Sequence, residues 1–366
     1  VTYSTAAETC DRLVSSIVDG AEYLTERLPQ AKPLFAAFIR RALGMDYDWS
    51  EELYERTIAG MSETMLHEIK FTAADLGCLS VWRKHRTVYE FDAALWSELG
   101  MMTPDYVVPG GLFSKLPHSD PFIALPAGVT LPMADGLMQE ITGFFVVGQA
   151  PDMGGYAQVS THDPASTTLG LLVAGEVRHP DGDPYYSETG VRDVLWTRLT
   201  LMVDPGGTSV ADLTERVRSR FRTNLSQEWE SDLPVIIATC VSALVYLCTK
   251  NADLRPELGK PPARSGKRGG RTVREVPRLQ VVKVGFRIGA QLRAYRRSAA
   301  GRLPAAGTGK AMPPHVRRAH LHTYRVGPGR QGFEVKWIPP VPINMSTPPK
   351  LTTVHRARAR GRAGKS

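Results

Sequence analysis

Residues 313–344 hold two runs of strand-forming residues on either side of a glycine-rich turn, Gly327-Pro328-Gly329-Arg330-Gln331-Gly332. The first run carries His315, Arg317, Arg318, His320, His322 and Tyr324. In the second, Phe333, Val335 and Trp337 recur at period two. Successive side chains of a strand point to opposite faces, so this alternation buries one face and leaves the other to solvent. A glycine cluster between two such runs closes a β-hairpin. The turn formally matches G-x-G-x-x-G, but Pro328 sits inside it and the flanking runs alternate like strands, which excludes a dinucleotide-binding loop. Phe333, Val335 and Trp337 are expected in the core. The imidazoles, guanidinium groups and phenol opposite them suit contact with phosphates and bases.

Charge divides the chain upstream of this hairpin. Residues 251–366 hold 26 Lys and Arg against 4 Asp and Glu, a net of +22, whereas residues 1–250 hold 19 against 33, a net of −14. A basic segment of that density meets a polyanion, and an acidic front with ordinary apolar content is protein-like. A chain of 366 residues with 42% hydrophobic content has room for two or three domains with real cores. Cys10, Cys78, Cys240 and Cys248 show neither disulfide spacing nor a C-x-x-C pair, which fits a reducing, cytoplasmic setting. Glu8, Asp11 and Asp19 interrupt the opening residues, so no signal peptide is expected. The longest apolar run, residues 233–248, is short for a membrane span and reads as a buried helix.

Periodicity predicts an α+β fold: a helical N-terminal part, a small central mixed sheet with helices, and a basic C-terminal helix plus β-hairpin module. The division expected is a helical region at 1–105, an α/β domain at 106–250, a basic Gly/Pro linker at 251–280, the helix and hairpin module at 281–346, and a disordered basic tail at 347–366. Leu13, Ile17, Ala21 and Leu24 recur at helical spacing, and Ser50 ahead of Glu51 and Glu52 reads as a helix start. Residues 122–125, 143–147, 169–173 and 195–203 read as strands. Thr208 or Ser209 is placed to cap a helix through residue 220, and residues 234–250 read as a second helix. Residues 281–297 read as one amphipathic helix. Val281, Val284, Ile288, Leu292 and Tyr295 form its apolar side; Lys283, Arg287, Arg293, Arg296 and Arg297 form a side expected to face phosphates.

The candidate nucleic-acid contacts are therefore those five cations together with His315, Arg317, Arg318, His320, His322, Tyr324 and Lys336; Ile288 and Leu292 join Trp337, Phe333 and Val335 as structural residues. No metal is expected, because His320 and His322 lack further ligands beyond Glu334, and nothing calls for a cofactor. His315, His320, His322 and Arg317 are the residue types of a ribonuclease, in which one group takes the 2′-hydroxyl proton and a cation steadies the phosphorane. A ribonuclease and a plain RNA- or DNA-binding accessory protein both remain open on these residues. Walker, nucleophile-elbow and zinc-protease motifs are absent from the sequence.

The C-terminal residues also resemble a family. Pro314, His315, Val316, Arg317, Arg318, Ala319, His320 and His322, then Tyr324, Gly327, Lys336, Trp337 and Pro339, are similar to the pattern of the type V-A anti-CRISPR proteins of the "VA-two" kind. Leu321 and Arg325 stand where that family usually has Trp. Upstream, Ile288-Gly289, Arg293 and Tyr295-Arg296 resemble its basic helix, residues 244–248 its buried helix, and Trp82-Arg83, Tyr89 and Phe91 an early helical segment. The resemblance implies a regulator that suppresses production of a type V effector nuclease by recognising its N-terminal segment as it leaves the ribosome, with loss of the translated message. It implies as partners a nascent polypeptide and the ribosome or mRNA, and no membrane.

Overall fold

The computed structural model describes residues 6–42, 51–118, 120–133, 136–148, 167–186, 193–221, 227–258, 278–300, 315–317, 319–339 and 341–343. Its frame is a seven-stranded mixed sheet with the order β6-β5-β4-β3-β1-β9-β8. The strands are β1 Thr87–Phe91, β3 Phe122–Pro132, β4 Met138–Val147, β5 Thr167–Arg178, β6 Val194–Val203, β8 Leu254–Leu258 and β9 Gln280–Val284. β1 runs parallel to both β3 and β9, and every other pairing in the sheet is antiparallel. β1 lies between two parallel neighbours, and its residues are buried except for Glu90, which is half-buried.

The two faces of the sheet carry separate cores. One is covered by α1 Ala6–Arg27, α2 Lys32–Ala42 and α4 Glu63–Trp82, with α3 Glu51–Ile58 beside α2. Leu13, Ile17, Phe35, Leu76 and Trp82 meet Val88, Phe122, Phe145 and Leu172 there. On the other face, α5 Ala93–Leu99, α6 Val210–Phe221, α7 Gln227–Leu247 and α8 Phe286–Ala300 meet Tyr89, Phe91, Phe144 and Leu171. Neighbours such as Val88 and Tyr89, or Phe144 and Phe145, part to opposite cores, the period-two rule of a strand. Three small pairs complete the described strands: β2 Val107–Val108 with β7 Thr208–Ser209, β10 His315–Arg317 with β13 Val341–Ile343, and β11 His320–Val326 with β12 Gly332–Ile338.

Buried ion pairs hold the first helical layer to the sheet. Arg12 of α1 pairs with the buried Glu176 of β5, which Arg178 also contacts. Arg198 of β6 pairs with Asp75 of α4 at 2.5 Å. Burial outweighs that arginine and raises the Asp75 carboxyl to about 6.

The α+β class and the mixed sheet are as the sequence predicts. Residues 281–297 are not one helix. Val281, Val282 and Val284 extend as β9 between β1 and β8, Gly285 turns the chain at φ 78°, and α8 begins at Phe286. β-branched residues favour the sheet, and a side chain at Gly285 would come within 2.3 Å of Leu95. The helix expected at 234–250 begins at Gln227 and carries Pro234 inside it. Ser209 caps α6: its Oγ accepts the Asp212 amide at 3.0 Å and donates to the Asp212 carboxylate at 2.6 Å. Residues 254–258, read as linker, form the edge strand β8, and the sheet as a whole crosses the divisions at 105, 250 and 280. Ser50, residues 259–277 and the tail lie outside the described residues. Among those described, no helix is long and apolar enough to cross a membrane.

Candidate nucleic-acid interface

The hairpin of β11 and β12 closes through Gly327 and Gly329, both at positive φ, with the Arg330 amide donating to the Gly327 carbonyl at 3.0 Å. Its register pairs Leu321 with Trp337, Thr323 with Val335 and Arg325 with Phe333 on one side, and His320 with Ile338, His322 with Lys336 and Tyr324 with Glu334 on the other. Val335 and Trp337 are buried, and Trp337 meets the ring of Tyr246 on α7 edge-on at 6.0 Å. Lys115 closes the near end: its Nζ donates to the Phe333 carbonyl at 3.0 Å and stands 3.7 Å over the Phe333 ring.

The segment after α7 fixes the hairpin's outer edge. The Lys250 amide donates to the Val335 carbonyl at 2.9 Å. Asn251 exchanges two hydrogen bonds with the backbone of Trp337, and Lys250 Nζ reaches Glu334 at 2.7 Å. β12 therefore presents no bare edge where residues 250–251 run beside it.

The opposite face is a strip of rings with Lys336 beside them, and the Glu334 carboxylate lies 4.0 Å from the Lys336 ammonium. His322 meets Tyr324 edge-on at 4.5 Å, and Lys336 Nζ lies 5.0 Å from the Tyr324 ring centre. His322 and Tyr324 are exposed, and His320 is half-buried on the same face. The hydrogen bond from Lys250, helped by Lys336 and Lys115, holds the Glu334 carboxyl below the usual carboxylate range. A phenol with a cation beside it, on a strand pair anchored from behind, is a platform on which a base stacks while the cation meets a phosphate.

The cations assigned to the basic helix sit differently. Lys283 lies on β9 and pairs with Glu90 of β1 at 2.5 Å; Arg287 pairs with the buried Asp253 at 3.0 Å; Arg293 and Arg296 each reach 2.6 Å from Asp92 and Glu98. Four of the five are thus committed to carboxylates, and three of them, Lys283, Arg293 and Arg296, use those of the acidic front to fasten β9 and α8 to β1 and α5. Arg297 is exposed in the last turn of α8. Ile288 and Leu292 are buried beneath them. Asp92 also accepts the Ala94 and Leu95 amides as the cap of α5, and Gly289 lies directly against it.

His315 and Arg317 belong to β10, paired with Ile343 and Val341 of β13; their side chains, and all of Arg318, lie outside the described residues. The geometry therefore brings together His320, His322, Tyr324 and Lys336, and adds Lys115, Lys250 and Asn251. No local pattern marks those three, since Lys115 meets its partner 218 positions away and Asn251 meets its own 86 away. Among the described residues no group of three His, Cys, Asp or Glu is placed to hold a metal.

A model of the AcrVA2-like family, described as the Anti-CRISPR type V subtype A2 family, matches residues 89–345. The crystal structure of AcrVA2 aligns over 93% of this chain and 100% of that chain, with a TM-score of 0.51 and 16% identity, a likeness of fold. Protein FinQ of Escherichia coli is 28% identical over 121 residues, 31% of this chain and 34% of FinQ, so the chain spans about a third of the length of that curated relative. The matched region begins within β1 and runs through the sheet, α7, α8 and the hairpin to β13, and on that extent the chain belongs to the AcrVA2-like anti-CRISPR family.

Proposed function

We propose that the protein is an anti-CRISPR-like regulator that recognises a nascent N-terminal peptide at the ribosome and triggers loss of the mRNA being translated. The peptide belongs to a type V Cas effector or to another target of the same kind. The observation that carries this reading is the outer face of the hairpin, where His322, Tyr324 and Lys336 form a ring-and-cation strip on a strand pair whose inner face is buried. Such a strip holds single-stranded RNA by stacking and phosphate contact. The front of the chain has the opposite charge. On α1, Asp19, Glu22 and Glu26 are exposed and lie on one side of the helix by their spacing. A surface of that sign steers and selects a basic, extended peptide.

The test is silencing of a target reporter in cells, read beside peptide binding in vitro. Tyr324→Ala combined with Lys336→Glu should abolish silencing and leave binding of the target peptide intact. Silencing that persists in this variant would refute the role given to the hairpin. Cleavage of naked RNA by the purified protein, lost in His320→Ala while binding is kept, would replace this reading with a ribonuclease.

A further inference from the structure

The first residue of α8, Phe286, is 44% exposed although its neighbours Ile288 and Leu292 are buried. Its outward placement is fixed by the backbone. Gly285 turns at φ 78°, a conformation that L side chains rarely adopt, and the buried carboxylate of Asp253 accepts the Arg287 and Ile288 amides at 2.6 and 3.0 Å. One side of the ring carries the Arg255 guanidinium, 4.6 Å from the ring centre. Arg255 lies on the edge strand β8, and no described carboxylate is within ion-pair distance of it. Arg287 follows Phe286 with its side chain 59% exposed, bonded to Asp253 through Nε.

This group borders the same short segment as the hairpin. Lys250 bonds Glu334, Asn251 holds Trp337, Asp253 caps α8, and Arg255 covers Phe286. Five residue steps span at most roughly 18 Å between Lys250 and Arg255, and Lys250 bonds Glu334, the register partner of Tyr324, so one short segment links the two aromatic–cation pairs. Along it Lys115, Lys250, Lys336, Arg255 and Arg287 outnumber the carboxylates Glu334, Asp253 and Glu257. The Arg255 guanidinium lies over the ring, a setting that favours a flat, negatively charged partner over an apolar one.

We propose that Phe286 and Arg255 form a second stacking station, on which a single-stranded RNA held at the hairpin continues onto the N-terminal end of α8. The proposal rests on the RNA-binding reading of the hairpin and adds residues outside it.

The test is fluorescence anisotropy of the full chain with a labelled twelve-nucleotide single-stranded RNA and the DNA of the same sequence, using Phe286→Ala, Phe286→Leu, Phe286→Trp, Arg255→Ala and, for the hairpin, Tyr324→Ala. Loss of one stacked base weakens binding by about 5- to 150-fold, so Phe286→Ala should fall in that range with its melting temperature unchanged. Phe286→Leu should fall with it, Phe286→Trp should bind at least as well as the wild type, and Arg255→Ala should be weakened. If Tyr324→Ala weakens binding and Phe286→Ala does not, the second station is refuted and the hairpin reading stands. If the wild type binds no RNA, both fall. If Phe286→Leu binds like the wild type, the ring serves an apolar contact and stacking is overturned. Tighter binding of the DNA would overturn the assignment to RNA.

Discussion

The side-chain amide of Asn251 takes both backbone groups of Trp337: its Nδ2 donates to the Trp337 carbonyl at 2.8 Å, and its Oδ1 accepts the Trp337 amide at 3.0 Å. One side chain thus stands in for a residue of a neighbouring strand and satisfies a donor and an acceptor that are both buried. Asn251→Ala strands the two groups and should cost about 2–4 kcal/mol in urea denaturation. Asn251→Asp keeps the acceptor but sets a carboxylate against the Trp337 carbonyl, so it should not rescue.

Trp337 is the largest fully buried side chain among the described residues and joins the hairpin to α7. Trp337→Ala should cost about 3–5 kcal/mol. Among the described residues its indole N–H has no hydrogen-bond partner. Trp337→Phe, which loses that N–H but keeps an aromatic ring against Tyr246, should cost about 1–2 kcal/mol. Equal melting temperatures for Trp337→Ala and the wild type would show that the hairpin is not part of the core.

Two helical glycines should respond in opposite directions to alanine. A Cβ at Gly20 of α1 meets nothing within 4 Å, so Gly20→Ala should stabilise by about 0.5–1 kcal/mol, the usual gain in a helix interior. A Cβ at Gly289 of α8 would lie 2.0 Å from Asp92 Oδ1. Asp92 would have to give up the cap of α5 or its bond to Arg293, so Gly289→Ala should destabilise by about 1–3 kcal/mol despite alanine's better propensity. Thermal melting of the two variants side by side reads the contrast.

Asp75 makes one part of the stability depend on pH. Its folded carboxyl titrates at about 6, against an ordinary value of 3.8, so folding takes up a proton between those values. Its contribution is present in full below the unfolded value and is lost as pH rises through about 6. The shift corresponds to a change on the order of 3 kcal/mol. Wild type and Asp75→Asn should therefore differ in the pH dependence of their urea midpoints. From pH 4 to pH 7 the wild type should lose stability relative to the variant, and parallel profiles would contradict the burial argument.

The hairpin was legible because every signal for it is local: a glycine turn, an alternating apolar run, and cations on the other face. The strand preceding α8 was not. Val281 and Val284 fall on one side of a helix as readily as Val282 and Val284 fall on one side of a strand, and what decides is pairing with β1, nearly two hundred residues earlier. The Asp253 cap that starts α8 is 34 residues away from the amide it accepts. The same distance hid the role of Lys283, Arg293 and Arg296. A run of cations without local acids reads as a phosphate surface, yet Glu90, Asp92 and Glu98 wait for them on β1 and α5. Part of the charge split between front and back is thus closed inside the molecule, and the strip at His322, Tyr324 and Lys336 keeps its face to solvent.

The central claim, recognition of a nascent peptide rather than of an RNA sequence, is decided by a reporter fused behind the first few dozen codons of the target. The account predicts that synonymous recoding of those codons leaves silencing intact, while changing the encoded peptide removes it. Silencing that is lost on synonymous recoding but survives a change of peptide would contradict the account.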